Sequence, residues 1–125
     1  VMAFEAASRG ASQVDVVELN RHTVQNMRLV IKELQLEQVS VHQQDAKAYL
    51  QAASAVYDVI VLDPPYRWQE WDVLWDLLQT HCHKGSVLYI EAGQLPQLPQ
   101  WLQWSKQDKA GQSHYGLALV QDIDL

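Results

Sequence analysis

Short apolar runs alternating with segments of helical period set the rhythm of this chain. Residues 14–19, 39–42, 56–62 and 86–91 are strand-length segments rich in Val, Ile and Leu and bounded by polar or turn-forming residues; all four read as strands, the first of them buried. Between the first two, Asn20 is a good N-cap for a helix to about residue 36. It places Val24, Met27, Val30, Ile31 and Leu34 on one face and leaves Arg21, Arg28 and Lys32 for solvent. Asp45 precedes a second helix, to about residue 53, with its carboxylate at the positive end of the helix dipole. A third helix is expected from about 69 to 82, closed by Lys84-Gly85, and a short one over 2–9, stopped by Arg9-Gly10. The prolines of Gln94-Leu95-Pro96-Gln97-Leu98-Pro99 mark a loop. Residues 101–107 and 115–122 form final strands joined around Ala110-Gly111, antiparallel because the connection is short.

Strands alternating with helices predict an α/β fold with a mostly parallel sheet and an antiparallel C-terminal hairpin. With 125 residues and 48% hydrophobic content, residues 1–125 are expected to form one domain with a real core. There is no internal repeat or linker. The single Cys82 excludes an intramolecular disulfide, and no window approaches the roughly 18 consecutive apolar residues of a membrane span. Without a signal-peptide pattern, the expected location is cytoplasmic. Nine basic residues against fifteen acidic ones give a net charge of -6, so this chain by itself is a poor phosphate-binding surface.

Asp63-Pro64-Pro65-Tyr66 follows the run Val59-Ile60-Val61-Leu62, and its two prolines forbid the strand from continuing. In an open parallel sheet, ligands bind at the C-terminal ends of strands. The turn therefore offers a carboxylate, a rigid carbonyl and an aromatic face to one crevice, a set suited to an exocyclic amine on a flat base. The alternative is a strand-ending turn with an incidental acid.

This tetrapeptide resembles the catalytic motif of S-adenosylmethionine-dependent methyltransferases that modify amino groups of nucleic-acid bases. Together with Glu5-Ala6-Ala7-Ser8-Arg9-Gly10-Ala11, Val16-Val17-Glu18-Leu19-Asn20, Gln44-Asp45-Ala46 and Ala110-Gly111-Gln112-Ser113-His114-Tyr115, it resembles the RsmD family over essentially all of the chain. Those enzymes methylate N2 of a guanine in the 16S ribosomal RNA of the bacterial small subunit. The resemblance implies a Rossmann-like class I methyltransferase fold, S-adenosylmethionine as cofactor, and ribosomal RNA or an assembling small subunit as partner. The glycine-rich loop that family members carry after their first strand is absent. The chain is therefore expected to be a fragment without that central first strand, and without a basic N-terminal extension.

The resemblance assigns the cofactor to Glu18, Leu19, Asn20, Asp45, Ala46 and Asp63. Glu18 would accept hydrogen bonds from the ribose hydroxyls, and Asp45 and Ala46 would meet the adenine; local capping is the alternative for Glu18, Asn20 and Asp45. Catalysis falls to Asp63, Pro64, Pro65 and Tyr66. The Asp63 carboxylate and Pro64 carbonyl accept the two amine hydrogens, and Tyr66 stacks on the base. Tyr66, Arg67 and Trp68 form the expected substrate contact. Trp68, Trp71 and Trp75 share helical spacing and suit a core-facing or partner-facing stripe, with Trp68 the one best placed for a base. Tyr115 is expected in the core and His114 in solvent. No metal is required: His81, Cys82 and His83 are consecutive and diverge by about 100° per residue on a helix. The tetrapeptide serves adenine N6 as well as guanine N2, so an adenine methyltransferase is one alternative, and a catalytically silent interaction module is another.

Overall fold

The computed structural model describes residues 9–64 and 68–121. The expected 2–9 helix thus lies almost wholly outside the described residues. Contacts divide the chain into two compact units, 1–53 and 54–125.

In the first unit, β1 (Val14–Val17) pairs in parallel with β2 (Val39–His42), Val14 opposite Val39 and Val17 opposite His42. Helix α1 (Arg21–Leu34) connects them, and α2 (Ala46–Ala52) follows β2. Asn20 caps α1, its side chain accepting the Thr23 N–H at 3.0 Å. The helix turns Val24 fully inward, but Leu34, expected on the same face, is exposed. Arg28 does not merely stay in solvent, because its guanidinium donates to the Val41 carbonyl at 3.1 Å and fastens the helix to β2. β1 is only half-buried along its length, not buried as its apolar run suggests. Among the described residues it has a single strand neighbour, and a run of Val, Asp, Val and Val presents both faces in turn.

The second unit carries a four-stranded sheet in the order β3-β4-β6-β5, formed by β3 (Tyr57–Leu62), β4 (Cys82–Ala92), β5 (Leu102–Ala110) and β6 (Ser113–Val120). β3 and β4 are parallel, whereas β6 is antiparallel to both β4 and β5, as the short connection requires. Leu88, Ile90, Leu102, Ala118 and Val120 are buried, together with Leu74, Trp75 and Leu78 of helix α3 (Trp71–Leu78). On the other face Val59, Val87 and Leu119 lie in register; Val59 and Leu119 are exposed. Gly116 lets the Trp104 indole cross β6, since a Cβ there would meet Trp104 Cζ3 at 2.6 Å and the Lys106 carbonyl at 2.9 Å.

The third helix is shorter than expected. It ends at Leu78, a 3-10 turn spans Gln79–His81, and Cys82 already belongs to β4. Lys84-Gly85 does not close a helix but forms an irregularity inside the strand, where Gly85 adopts φ 97°. Ser86 organises this irregularity: its hydroxyl donates to the Tyr57 carbonyl at 2.7 Å and accepts the His83 N–H at 3.0 Å. Pairing to β3 and a buried serine thus override the helical pattern of residues 79–82. No described helix is long and apolar enough to cross a membrane.

Candidate functional site

Parallel strands gather chemistry at their C-terminal ends. In the first unit, Glu18 directly follows β1 and Asp45 lies just past β2. The Glu18 N–H donates to the His42 carbonyl at 3.0 Å, which ties this end of the two strands together. One Glu18 oxygen, Oε2, accepts the Asn20 N–H at 3.0 Å. Its other oxygen has no partner among the described residues. Leu19, next to it, is 66% exposed, an apolar side chain left open beside a carboxylate. Asn20 is committed to its cap. Asp45 caps α2, its Oδ2 accepting Lys47 N–H at 3.1 Å and Ala48 N–H at 3.3 Å, with Ala46 as the first residue of the helix. The structure thus brings Glu18, Leu19, Asn20, Asp45 and Ala46 to one end of the parallel pair. A carboxylate with a spare oxygen beside an exposed apolar side chain fits a ribose and a flat ring.

In the second unit, Asp63 follows β3 and is exposed, and its carboxylate has no hydrogen bond among the described residues. The contrast with Asp45 has a covalent cause. Asp45 is satisfied by the N–H groups two and three residues on, whereas the residue two on from Asp63 is Pro65, which has none. One of the two local donors that serve Asp45 is thereby withdrawn from Asp63. Pro65, Tyr66 and Arg67, assigned to catalysis and substrate, lie outside the described residues, while Pro64 is half-buried.

The register across β3 and β4 sets Leu62 opposite Ile90 and so places Glu91 level with Asp63. Glu91 went unremarked in the sequence as a site residue, although it stands one residue from the end of β4 as Asp63 stands just past the end of β3. Tyr89 lies nearby, 6.4 Å ring to ring from Tyr115 in a stacked pair. Partial burial, then the charges of Glu91, Tyr115 and Asp63, raise the Tyr89 phenol above its ordinary value and keep it protonated. Tyr115 is half-buried rather than core, and the Asp108 carboxylate beside it raises its phenol. His114, expected in solvent, is half-buried too, with Nδ1 2.7 Å from the Gly93 carbonyl, so that nitrogen carries the proton.

The tryptophans split in role. Trp75 is buried, and Trp71 stacks on it at 5.4 Å and 23°. Trp68 lies before α3 and meets Trp71 edge-on, at 5.0 Å and 82°. His81, Cys82 and His83 do not converge. The His81 Nδ1 is 2.7 Å from the Ala55 carbonyl, and the His83 Nε2 is 2.6 Å from Asp58. Burial pushes the Cys82 thiol up to about 11, which keeps it un-ionised at neutral pH. No group of three or more potential metal ligands occurs among the described residues.

The model of the family described as conserved hypothetical protein 95 matches residues 1–119. The chain belongs to that family. It is the RsmD-like family of methyltransferases that the sequence resembles. Solved structures share the fold. YhhF of Escherichia coli, proposed to be a methyltransferase, superposes with TM-score 0.86 at 23% identity, over 96% of this chain and 69% of that one. A proposed methylase of Haemophilus influenzae gives TM-score 0.82 at 24% identity, over 95% and 79%. A ribosomal protein L11 methylase of Lactobacillus delbrueckii subsp. bulgaricus gives 0.73 at 16%, over 97% and 65%. The fold of the RsmD-like chain is accordingly the Rossmann-like class I methyltransferase fold. Sequence comparison with curated proteins finds no match.

Proposed function

We propose that this RsmD-like chain takes part in S-adenosylmethionine-dependent methylation of a guanine N2 amine in 16S ribosomal RNA. The observation that carries the reading is Asp63, an exposed carboxylate at the end of a parallel strand, followed by a proline pair that removes one of the two local donors that satisfy Asp45. Family membership supports the guanine and the ribosomal RNA, which the tetrapeptide alone does not distinguish from an adenine target. The same reading makes residues 1–125 one methyltransferase domain of a cytoplasmic protein.

The residues divide the work. Glu18 accepts the ribose hydroxyls through its spare oxygen, Leu19 covers an apolar edge, and Asp45 and Ala46 meet the adenine end. Asn20 holds Glu18 in place through its backbone N–H. When bound, S-adenosylmethionine supplies an electrophilic methyl group on a positively charged sulfur. A guanine N2 amine is a weak nucleophile because its lone pair is delocalised into the ring. Asp63 and the Pro64 carbonyl would accept its two N–H bonds, favour the pyramidal amine and aim the lone pair. Tyr66 would hold the base by stacking, with Arg67 and Trp68 beside it. The proton leaves afterwards to Asp63 or to water, and no metal ion enters.

Two measurements test this. Calorimetric titration with S-adenosylhomocysteine of the chain, and of a version extended upstream by the preceding strand and loop, reads the cofactor half; no binding by either, each shown to be folded, overturns it. Incubation with 16S ribosomal RNA and methyl donor, followed by nucleoside mass spectrometry, reads the target. N2-methylguanosine is the expected product, and N6-methyladenosine would move the activity to the other amine.

A further inference from the structure

A cleft of about 380 Å³ opens within the second unit, beside the end of β4. Trp68, Gln69 and Trp71 form one wall, and residues 92–96 form the other. None of these residues carries a charge, so a phosphate or carboxylate finds no counter-ion among the described lining residues. What the lining does offer is aromatic surface and two exposed primary amides, from Gln69 and Gln94, each able to donate and accept at once. Trp71 already has one face stacked on Trp75, and Trp68 meets Trp71 nearly perpendicular, at 82°, which leaves at least one face of the Trp68 indole outside the aromatic cluster. The opposite wall is pinned, because His114 holds the Gly93 carbonyl at 2.7 Å from the start of β6. Such a wall does not have to be ordered when a ligand arrives.

The cleft also stands at a definite place along the sheet. Leu62 is opposite Ile90, so Asp63 and Ala92 are offset by one residue on neighbouring strands, about 6 Å apart by strand geometry. The cleft therefore opens at the same C-terminal end of the sheet as Asp63, one residue beyond its level and on the α3 side of β4.

We propose that this cleft is a nucleobase subsite, which receives the base adjacent to the one being methylated by stacking on Trp68 and by amide contacts from Gln69 and Gln94. The inference rests on the methyltransferase reading of Asp63 and extends it from the reacting base to its neighbour. An uncharged, flat group with hydrogen-bonding edges matches the lining, since base-aromatic stacking is tolerant of sequence and a glutamine amide can bond a base edge in two places. Affinity for RNA in this acidic chain is then drawn partly from stacking, which needs no positive charge.

The test follows indole N–H resonances of the ¹⁵N-labelled chain, assigned by single Trp-to-Phe variants, during titration with the trinucleotide ApGpA. Shifts concentrated on Trp68 and Trp71, with Trp101 and Trp104 unmoved, are expected. An ApGpA analogue with abasic sites on both sides of the guanine should bind about tenfold more weakly, the loss expected for one stacked base. Trp68→Ala should weaken ApGpA by a similar factor and weaken the abasic analogue less, because the flanking base is the one that stacks on it. Gln94→Ala, at an exposed position, gives a smaller loss without threatening the fold. Equal binding of the two trinucleotides, or shifts confined to Trp101 and Trp104, would overturn the subsite. So would a proline-rich peptide that moves Trp68 and Trp71 when ApGpA does not, because the cleft would then be a peptide site. Methyl transfer separates the two levels of the argument. Equal KM for RNA with and without the flanking bases refutes the subsite alone. Flank-dependent binding without methyl transfer refutes the enzymatic reading and leaves the subsite standing.

Discussion

Asp45 in the first unit and Asp63 in the second both follow a parallel strand, and they meet opposite fates. Asp45 turns one oxygen onto two backbone N–H groups of α2, so its position is explained by helix capping alone. Asp63 is followed by two prolines and keeps its carboxylate exposed, without a partner among the described residues. Glu18 lies between these cases, with Oε2 accepting the Asn20 N–H and the other oxygen left over. An acid after a strand is therefore a functional candidate to the extent that the following backbone cannot satisfy it. Proline at the second following position withdraws one of those donors.

The comparison breaks most decisively at Asp63. Asp63→Ala should lower methyl transfer by about a hundredfold or more, the scale for losing one preorganised hydrogen-bonding group. Affinity for S-adenosylhomocysteine should stay within a few fold. Equal loss of both by calorimetry and rate measurement would show that Asp63 serves the cofactor or the fold instead. Glu18→Ala is the reciprocal variant. It should weaken S-adenosylhomocysteine by about tenfold to a hundredfold, as expected for hydrogen bonds to a charged group, and unchanged affinity removes Glu18 from the site.

Substitutions away from the strand ends should move stability rather than chemistry. Gly116→Ala drives a methyl group into Trp104 and the Lys106 carbonyl, and should destabilise the second unit by about 1–3 kcal/mol in urea denaturation. Asp45→Ala should cost about 1 kcal/mol through the lost cap of α2; any further loss of cofactor affinity measures its second role.

The smallest effect is expected at His83. Its Nδ1 faces the Lys84 carbonyl at 2.8 Å and its Nε2 faces Asp58 at 2.6 Å, so both nitrogens are donors in the charged ring. The carbonyl first, then Asp58, raise the imidazole above its ordinary 6.5. A raised value in the folded state means stabilisation that is complete below about pH 6.5 and disappears as pH rises through the higher folded value. Asp58 is 91% exposed, so solvent screens most of it. Thermal melts should show the wild type losing slightly more than His83→Gln between about pH 5 and pH 9, and parallel curves would assign the pair no energetic role.

Local pattern carried much of the architecture. β2 spans the expected 39–42, both capping residues stand where Asn and Asp before a helical period put them, and the proline-rich 94–99 segment is irregular. Each depends on neighbours a few residues apart, which the chain displays directly. The ending of α3 was not legible, because the Tyr57 carbonyl that takes the Ser86 hydroxyl is 29 residues away. Nor was the half-buried state of His114, which is fixed by Gly93 across 21 residues.

The sequence by itself determined the alternation of strands and helices, the caps, and the proline pair that ends β3 and withdraws one local donor from Asp63, all consequences of covalent structure over a few residues. Only the tertiary structure decided that Glu91 stands level with Asp63, that Trp75 is buried while Trp68 lines a cleft, and that Val59 lies exposed on the uncovered face of its sheet. Those depend on strand register and on which face of each element is covered, and both are set by residues brought together across long stretches of chain.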